Sequence, residues 1–179
     1  DHIIFNLDNG KQLRYNDTRK FGRIKLVSLQ NYRNELPLSK LGPEPFDATC
    51  NELYEKIHKS KLPIKHVLLE QNIIAGIGNI YANEICFAMG LDPNTPASNL
   101  TKKSVQELID VSCKILNEAI KQGGTTIHSF SANGIDGLFQ VKLKAHMQKI
   151  CPICNGPISK IKIKGRGTYY CPHCQKRRR

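Results

Sequence analysis

The chain has 179 residues, 40% of them apolar and none tryptophan, which is enough for one medium domain or two small ones and excludes a disordered chain. No run approaches the roughly 18 apolar residues of a membrane-spanning helix. The formal net charge of +12, from 27 basic and 15 acidic residues, points to a polyanionic partner. Nucleic acid comes first, because each neutralised phosphate releases counterions; an anionic membrane surface or a ribonucleoprotein would also suit the charge.

Asp1 leads directly into Ile3-Ile4-Phe5, so the chain opens inside a strand and upstream residues are expected. His2–Leu7 and Gln12–Tyr15 flank Asn9-Gly10, a pair that supplies the backbone of a tight hairpin turn. Arg23–Leu29 alternates basic and apolar residues, as a half-exposed strand does. Leu41-Gly42-Pro43-Glu44-Pro45 can continue neither strand nor helix and reads as a linker at a domain boundary.

Residues 47–122 read as helical. Thr49-x-x-Glu52 forms a capping box, with Leu53 and Ile57 on one face. A second helix is expected from Pro63 to Gln71, with proline in the first turn where its missing N–H costs nothing. A third runs from Ile80 to Met89. Thr101 caps a fourth, with an apolar stripe through Val105, Leu108, Ile109 and Leu116, and Gly123-Gly124 stops it. Residues 129–140 are rich in small polar side chains and read as a mobile loop whose length favours a functional role.

Cys151-Pro-Ile-Cys154 and Cys171-Pro-His-Cys174 have the form C-x2-C-x16-C-x2-C. Two thiolates in one tight turn bind a metal together, and two such turns close a tetrahedral sulfur site that favours zinc. Four protein ligands leave no position for water, so the expected cofactor is one structural zinc ion. Two separate redox pairs, or His173 in place of one cysteine, are the alternatives. Cys50, Cys86 and Cys113 fall at helical positions and read as core thiols. Between the pairs, Ile158–Lys164 alternates, Gly165-Arg166-Gly167 turns and Thr168-Tyr169-Tyr170 returns: a hairpin clamped at its base by metal. Its Lys160, Lys162, Lys164 and Arg166 suit a nucleic-acid backbone or a solvated face. The closing Lys176-Arg-Arg-Arg179 reads as a phosphate tether or a solubilising tail.

Gly76-Ile-Gly78-Asn79 leads into a helix, and the backbone N–H groups and dipole at such a start favour an anion, although a plain tight turn has the same sequence. Asp17-Thr18-Arg19-Lys20-Phe21-Gly22, Leu41-Gly-Pro-Glu-Pro45, Gly76-Ile-Gly-Asn-Ile-Tyr-Ala-Asn-Glu84 and Gln122-Gly-Gly-Thr-Thr126, followed by the finger, occur in the order of the bacterial formamidopyrimidine-DNA glycosylases. The chain resembles that family over nearly its whole length. Thr18 stands where the family commonly has proline.

The resemblance implies an α+β fold. Residues 1–40 would be the late part of a β-sandwich catalytic domain and 41–46 a linker. Residues 47–147 would be a helix–two-turn–helix domain carrying the lesion-side loop 129–140, and 148–179 the zinc finger. It implies base excision repair of oxidised purines by a bifunctional glycosylase and abasic-site lyase. The expected partner is double-stranded damaged DNA, with no membrane partner, in a monomeric, cytoplasmic protein. Lys61 and Lys65 match backbone-phosphate contacts. Asn79 matches an asparagine that grips a phosphate near the lesion. Arg166 matches a finger arginine that clamps the same region and is implicated in δ-elimination, the one catalytic assignment in this chain. Arg19 and Phe21 match residues that fill the gap of a flipped nucleotide; a core phenylalanine and a phosphate-binding arginine are the plainer reading. Cys151, Cys154, Cys171 and Cys174 match the zinc ligands. The family's N-terminal proline nucleophile and its glutamate have no match among the 179 residues, so these alone are expected to be inactive. A sister glycosylase for oxidised pyrimidines and a non-catalytic zinc-ribbon protein are the rival readings.

Overall fold

The computed structural model describes residues 1–17, 20–124 and 142–178. Thr18, Arg19 and the expected loop at 129–140 lie outside them. The chain is a mixed α+β protein in two units, Asp1–Glu35 and Leu36–Arg179.

In the first unit, β1 (Ile3–Asn6) pairs antiparallel with β2 (Gln12–Tyr15), Ile3 opposite Tyr15 and Asn6 opposite Gln12. Gly10 turns the hairpin at φ +75°, a conformation that glycine adopts without steric cost. The strand expected at Arg23–Leu29 does not form. Alternation only makes a strand if a neighbour accepts its ladder of hydrogen bonds, and no partner strand stands beside it among the described residues. Leu26 and Leu29 stay exposed there.

Among the described residues the second unit is built on four α-helices. Helix α1 (Cys50–Ile57) starts at Thr49, whose hydroxyl accepts from the Glu52 N–H, so the N-cap half of the capping box forms; the Glu52 carboxylate accepts from the same hydroxyl instead of from the Thr49 N–H. Helix α2 (Ile64–Val67) is one turn rather than the nine residues expected. Its start is pinned to the segment before Pro96, with Ile64 N–H on Thr95 O. Its end breaks into successive turns, Leu69 N–H to His66 O and Ile73 N–H to Glu70 O. Helix α3 (Asn79–Ala88) follows Gly78, and α4 (Lys102–Lys121) is capped by Thr101, whose hydroxyl accepts from Ser104 N–H. Ile57, Ile64, Leu68, Ile85, Leu91 and Leu108 are almost wholly buried where the four helices meet. Burial of this kind supplies most of the helices' stability. Cys86 joins that core, while Cys50 and Cys113 are half-buried and donate to the Lys102 and Pro45 carbonyls.

The stretch read as a linker is sewn into the second unit. Gly42 N–H donates to Gln71 O and Ala75 N–H to Pro43 O. The Gln71 amide ties the same two turns together, accepting from Gly76 N–H at 2.9 Å and donating to Ile77 O at 3.1 Å. A Cβ on Gly42 would stand 2.6 Å from the Ile73 carbonyl oxygen. Gly42→Ala is therefore expected to cost about 1–3 kcal/mol through overpacking against rigid backbone. Urea unfolding of the variant measures this, and an unchanged midpoint would mean that the linker does not pack so closely.

The finger is β3 (Ser159–Ile163) and β4 (Arg166–Tyr170), antiparallel with Ile163 opposite Arg166. Its turn is therefore Lys164-Gly165, both at positive φ, and not Gly165-Arg166-Gly167 as the sequence suggests. Two central residues at positive φ match the twist of a tight hairpin.

Candidate nucleic-acid interface and metal centre

Strand β4 lies along α3, and polar side chains from α2 and α3 fasten it there. Lys65 reaches over from α2. It is fully buried, and its ammonium donates to Asn79 Oδ1 at 2.7 Å, Thr168 Oγ1 at 2.9 Å and Gly167 O at 3.1 Å. Asn79, the first residue of α3, donates from Nδ2 to the same Gly167 carbonyl at 3.1 Å. The Thr168 hydroxyl donates onward to Arg166 O. Asn79 and the finger residue Arg166, 87 positions apart in sequence, are thus joined through Lys65, Gly167 and Thr168.

Every acceptor on Lys65 is neutral. Desolvation lowers its pKa to about 8; the nearby Cys86 thiol opposes this and the Arg166 guanidinium adds to it. Among the described residues this charge has no counter-ion, which leaves a positive field at the start of α3, where the N-cap Gly78 offers no side chain to cap the first N–H groups. Arg166 is exposed beside it.

Further along α3, Asn83 donates from Nδ2 to His146 Nδ1 at 2.7 Å, and its Oδ1 accepts from Tyr169 N–H. Burial, then the charge of Lys65, lowers the His146 pKa, which favours the neutral ring that this acceptor role needs. The Glu84 carboxylate accepts from the N–H groups of Lys144, Ala145 and His146 at 2.7–3.0 Å, fixing the chain as it enters the finger.

Of the residues singled out in the sequence, Asn79 and Arg166 come together and Lys65 lies behind them. Lys61 is exposed ahead of α2. Phe21, in the first unit, is 77% exposed and so is no core residue of that unit; Arg19 is outside the described residues. Gln71, Asn83, Glu84 and His146 carry structural work that the sequence reading missed. Asn83 and Glu84 stood in the quoted motif, and a polar pair on an otherwise apolar helix was the available signal.

The four finger cysteines meet with all four sulfur atoms within 4.8 Å of one another. Cys151 and Cys174 sulfurs are 3.8 Å apart, and those of Cys154 and Cys171 3.5 Å. A tetrahedral zinc site with bonds of about 2.3 Å separates its sulfurs by about 3.8 Å, so the set fits. Burial, then the neighbouring thiols, pushes the Cys174 thiol up to about 12, and only a cation would hold all four groups ionised together. Phe87 and Ala145 close the apolar side. His173 is exposed outside the cluster, which four cysteines complete.

These elements coincide with known families. Residues 41–131 match the formamidopyrimidine-DNA glycosylase H2TH domain, and residues 149–177 match the zinc finger found in FPG and IleRS. The chain is 45% identical to the formamidopyrimidine-DNA glycosylase of Ureaplasma parvum serovar 3 over 97% of its own length and 65% of the relative's. It is 43% identical to that of Lactobacillus helveticus, covering 98% and 65%. The chain thus spans just under two thirds of these relatives. Among solved structures it resembles a complex of Lactococcus lactis Fpg with DNA containing an abasic site, at TM-score 0.85 and 39% identity, covering 93% of this chain and 63% of that one. It also resembles the MutM (Fpg) protein from Thermus thermophilus, at TM-score 0.85 and 34% identity, covering 93% and 65%. Metal-replete protein is expected to contain one zinc per chain, and a chelator to unfold the finger, whose two strands are too short to persist alone. Elemental analysis with circular dichroism checks both. With its helix–two-turn–helix and its finger matched in order, the chain belongs to the formamidopyrimidine-DNA glycosylase H2TH family.

Proposed function

We propose that these residues are the DNA-gripping portion of a bifunctional glycosylase and abasic-site lyase that removes oxidised purines from damaged duplex DNA. The observation that carries the reading is the junction of Asn79 with the finger at Gly167, next to Arg166. Uncapped N–H groups at the start of α3, the exposed Arg166 guanidinium and the uncompensated ammonium of Lys65 converge on one small region, where a backbone phosphate offers the missing negative charge. Lys65 then acts from behind, holding Asn79 and β4 in place, while Lys61 reaches the duplex from outside. The relatives, named as glycosylases, and the neighbour bound to abasic-site DNA support the substrate class. Arg166 serves the elimination step by holding the phosphate next to the reacting sugar. The exposed ring of Phe21 fills the space left by a flipped nucleotide. The nucleophile belongs to the part of the relatives that the chain does not span.

Asn79→Ala and Arg166→Ala are each expected to weaken duplex binding by about 1–3 kcal/mol, with affinity falling steeply as salt rises. Fluorescence anisotropy across a salt series measures this, and affinity unchanged in both variants would refute the grip. The 179 residues alone are expected to bind without releasing 8-oxoguanine; product formation by them would overturn the assignment of the chemistry elsewhere.

The buried ammonium also predicts a pH effect. Lys65 has a folded pKa near 8, below its ordinary 10.5, so between those values the unfolded chain binds the extra proton. Stability contributed by this residue therefore rises with pH across that window. Denaturant unfolding of wild type and Lys65→Met at a series of pH values should show the wild type gaining stability relative to the variant as pH rises from about 8 to 10.5, on top of the opposite slope that the raised Cys86 thiol gives both proteins.

A further inference from the structure

The basic run that closes the chain has no place in the grip described above. In the structure its described part, up to Arg178, is docked. Gln175 is 2% exposed; its Oε1 accepts from Cys171 N–H at 2.8 Å and its Nε2 donates to Leu91 O at 2.9 Å. Lys176 pairs through its backbone with Gly90 and Asp92, its N–H on Gly90 O at 2.8 Å and its carbonyl accepting from Asp92 N–H at 3.0 Å. Gly90 sits at φ +57°, and a Cβ there would stand 3.4 Å from the Cys174 carbonyl oxygen, so the two segments touch closely. Asn99 Nδ2 donates to Arg178 O at 3.0 Å. The Arg178 guanidinium donates to Ser104 Oγ and, at 3.1 Å, to the Glu107 carboxylate on the first turns of α4.

Strand β4 is thereby fastened in three places, two on α3 and its neighbour Lys65 and one on Leu91, just past the end of α3. Lys65 and Asn79 hold its start, Asn83 holds Tyr169 N–H, and Gln175 holds Cys171, the residue that follows its end. We infer that Gln175 and Arg178 form a positioning strap that seats the second cysteine pair on the α3–α4 connection, and so sets where Arg166 stands relative to Asn79. This rests on the DNA-grip reading proposed above. The Arg178 charge is neutralised at home by Glu107, so its role is the strap's and not a phosphate tether's. The Gln175 amide fits the role because one face accepts from the finger and the other donates to the helical body; glutamate could do only the first.

The test uses the whole 179-residue chain and a short fluorescent duplex carrying an abasic-site analogue, with zinc content measured for every variant. Gln175→Ala is expected to bind about fivefold more weakly while retaining one zinc, the loss of one buried amide's bonds. In an Arg166→Ala background the same change should cost almost nothing, because the group being positioned is gone. Arg178→Ala should weaken binding without changing the slope of log affinity against log salt; a tether would lower that slope by about 0.9. Unchanged affinity in Gln175→Ala, penalties that add in the double variant, or a lowered slope in Arg178→Ala would each overturn the strap. If Gln175→Ala loses its zinc, Arg178→Ala, which leaves residues 171–175 intact, carries the double-variant comparison. Failure of Arg166→Ala by itself to weaken binding would instead refute the grip, and the strap's role in it with it.

Discussion

A single ammonium group, shut away from water where α2, the start of α3 and β4 meet, organises the second unit. Among the described residues Lys65 has no anion beside it; it donates to an amide oxygen, a hydroxyl and a main-chain carbonyl. Burying a charge on those terms costs stability, and a well-packed methionine would be the easier occupant of such a place. The arrangement makes sense as a means of joining. One group with three donors holds together residues from three separate stretches of chain, and the charge it carries remains available to whatever anion approaches from outside.

The sequence reading was strongest where one local rule decides the conformation. Asn9-Gly10 made its hairpin, Thr49 and Thr101 capped their helices, and the cysteine spacing assembled its cluster. It was weakest where the partner lies far along the chain. Nothing near Lys65 distinguishes a lysine aimed at solvent from one aimed at Thr168, 103 positions away. Nothing near Pro43 shows that the linker's carbonyl is taken by Ala75. The Arg23–Leu29 alternation failed for the complementary reason: a pattern of period two is only half of a strand, and the other half is a neighbour. In the finger, the glycines at 165 and 167 made the turn look centred on Arg166, whereas cross-strand register put the bend one residue earlier and Arg166 at the head of β4.

The net charge also divides differently from what composition alone suggests. Some basic groups are paired internally, Arg178 with Glu107 and Lys25 with Glu35 in the first unit, which leaves the excess of twelve untouched and places it on the unpaired groups. Glu84 spends its negative charge on three backbone N–H groups instead of on a basic side chain, so it stiffens the entry to the finger without discharging any lysine. Many basic groups face solvent along the whole described chain, and four of them, Lys160, Lys162, Lys164 and Arg166, fall within seven residues on the finger hairpin. A polyanion would therefore meet a local concentration of charge at the finger on an otherwise basic surface.

The two-residue turn at Lys164-Gly165 leaves the finger no slack. With Ile163 paired directly to Arg166, adding or removing one residue at the tip would shift the register, and a shift by one exchanges the two faces of every residue beyond it. If β3 carried the shift, Ile161 and Ile163 would turn outward and Lys160 and Lys162 inward; if β4 carried it, Arg166 would change faces. The cysteine pairs at the base tolerate no compensating slide, because both ends of the hairpin are anchored there. Variation at this tip is thus confined to substitution: its side chains can be exchanged for others while its length is held fixed, which makes loop length, more than any individual side chain, the property by which a divergent copy would reveal that it no longer grips the same partner.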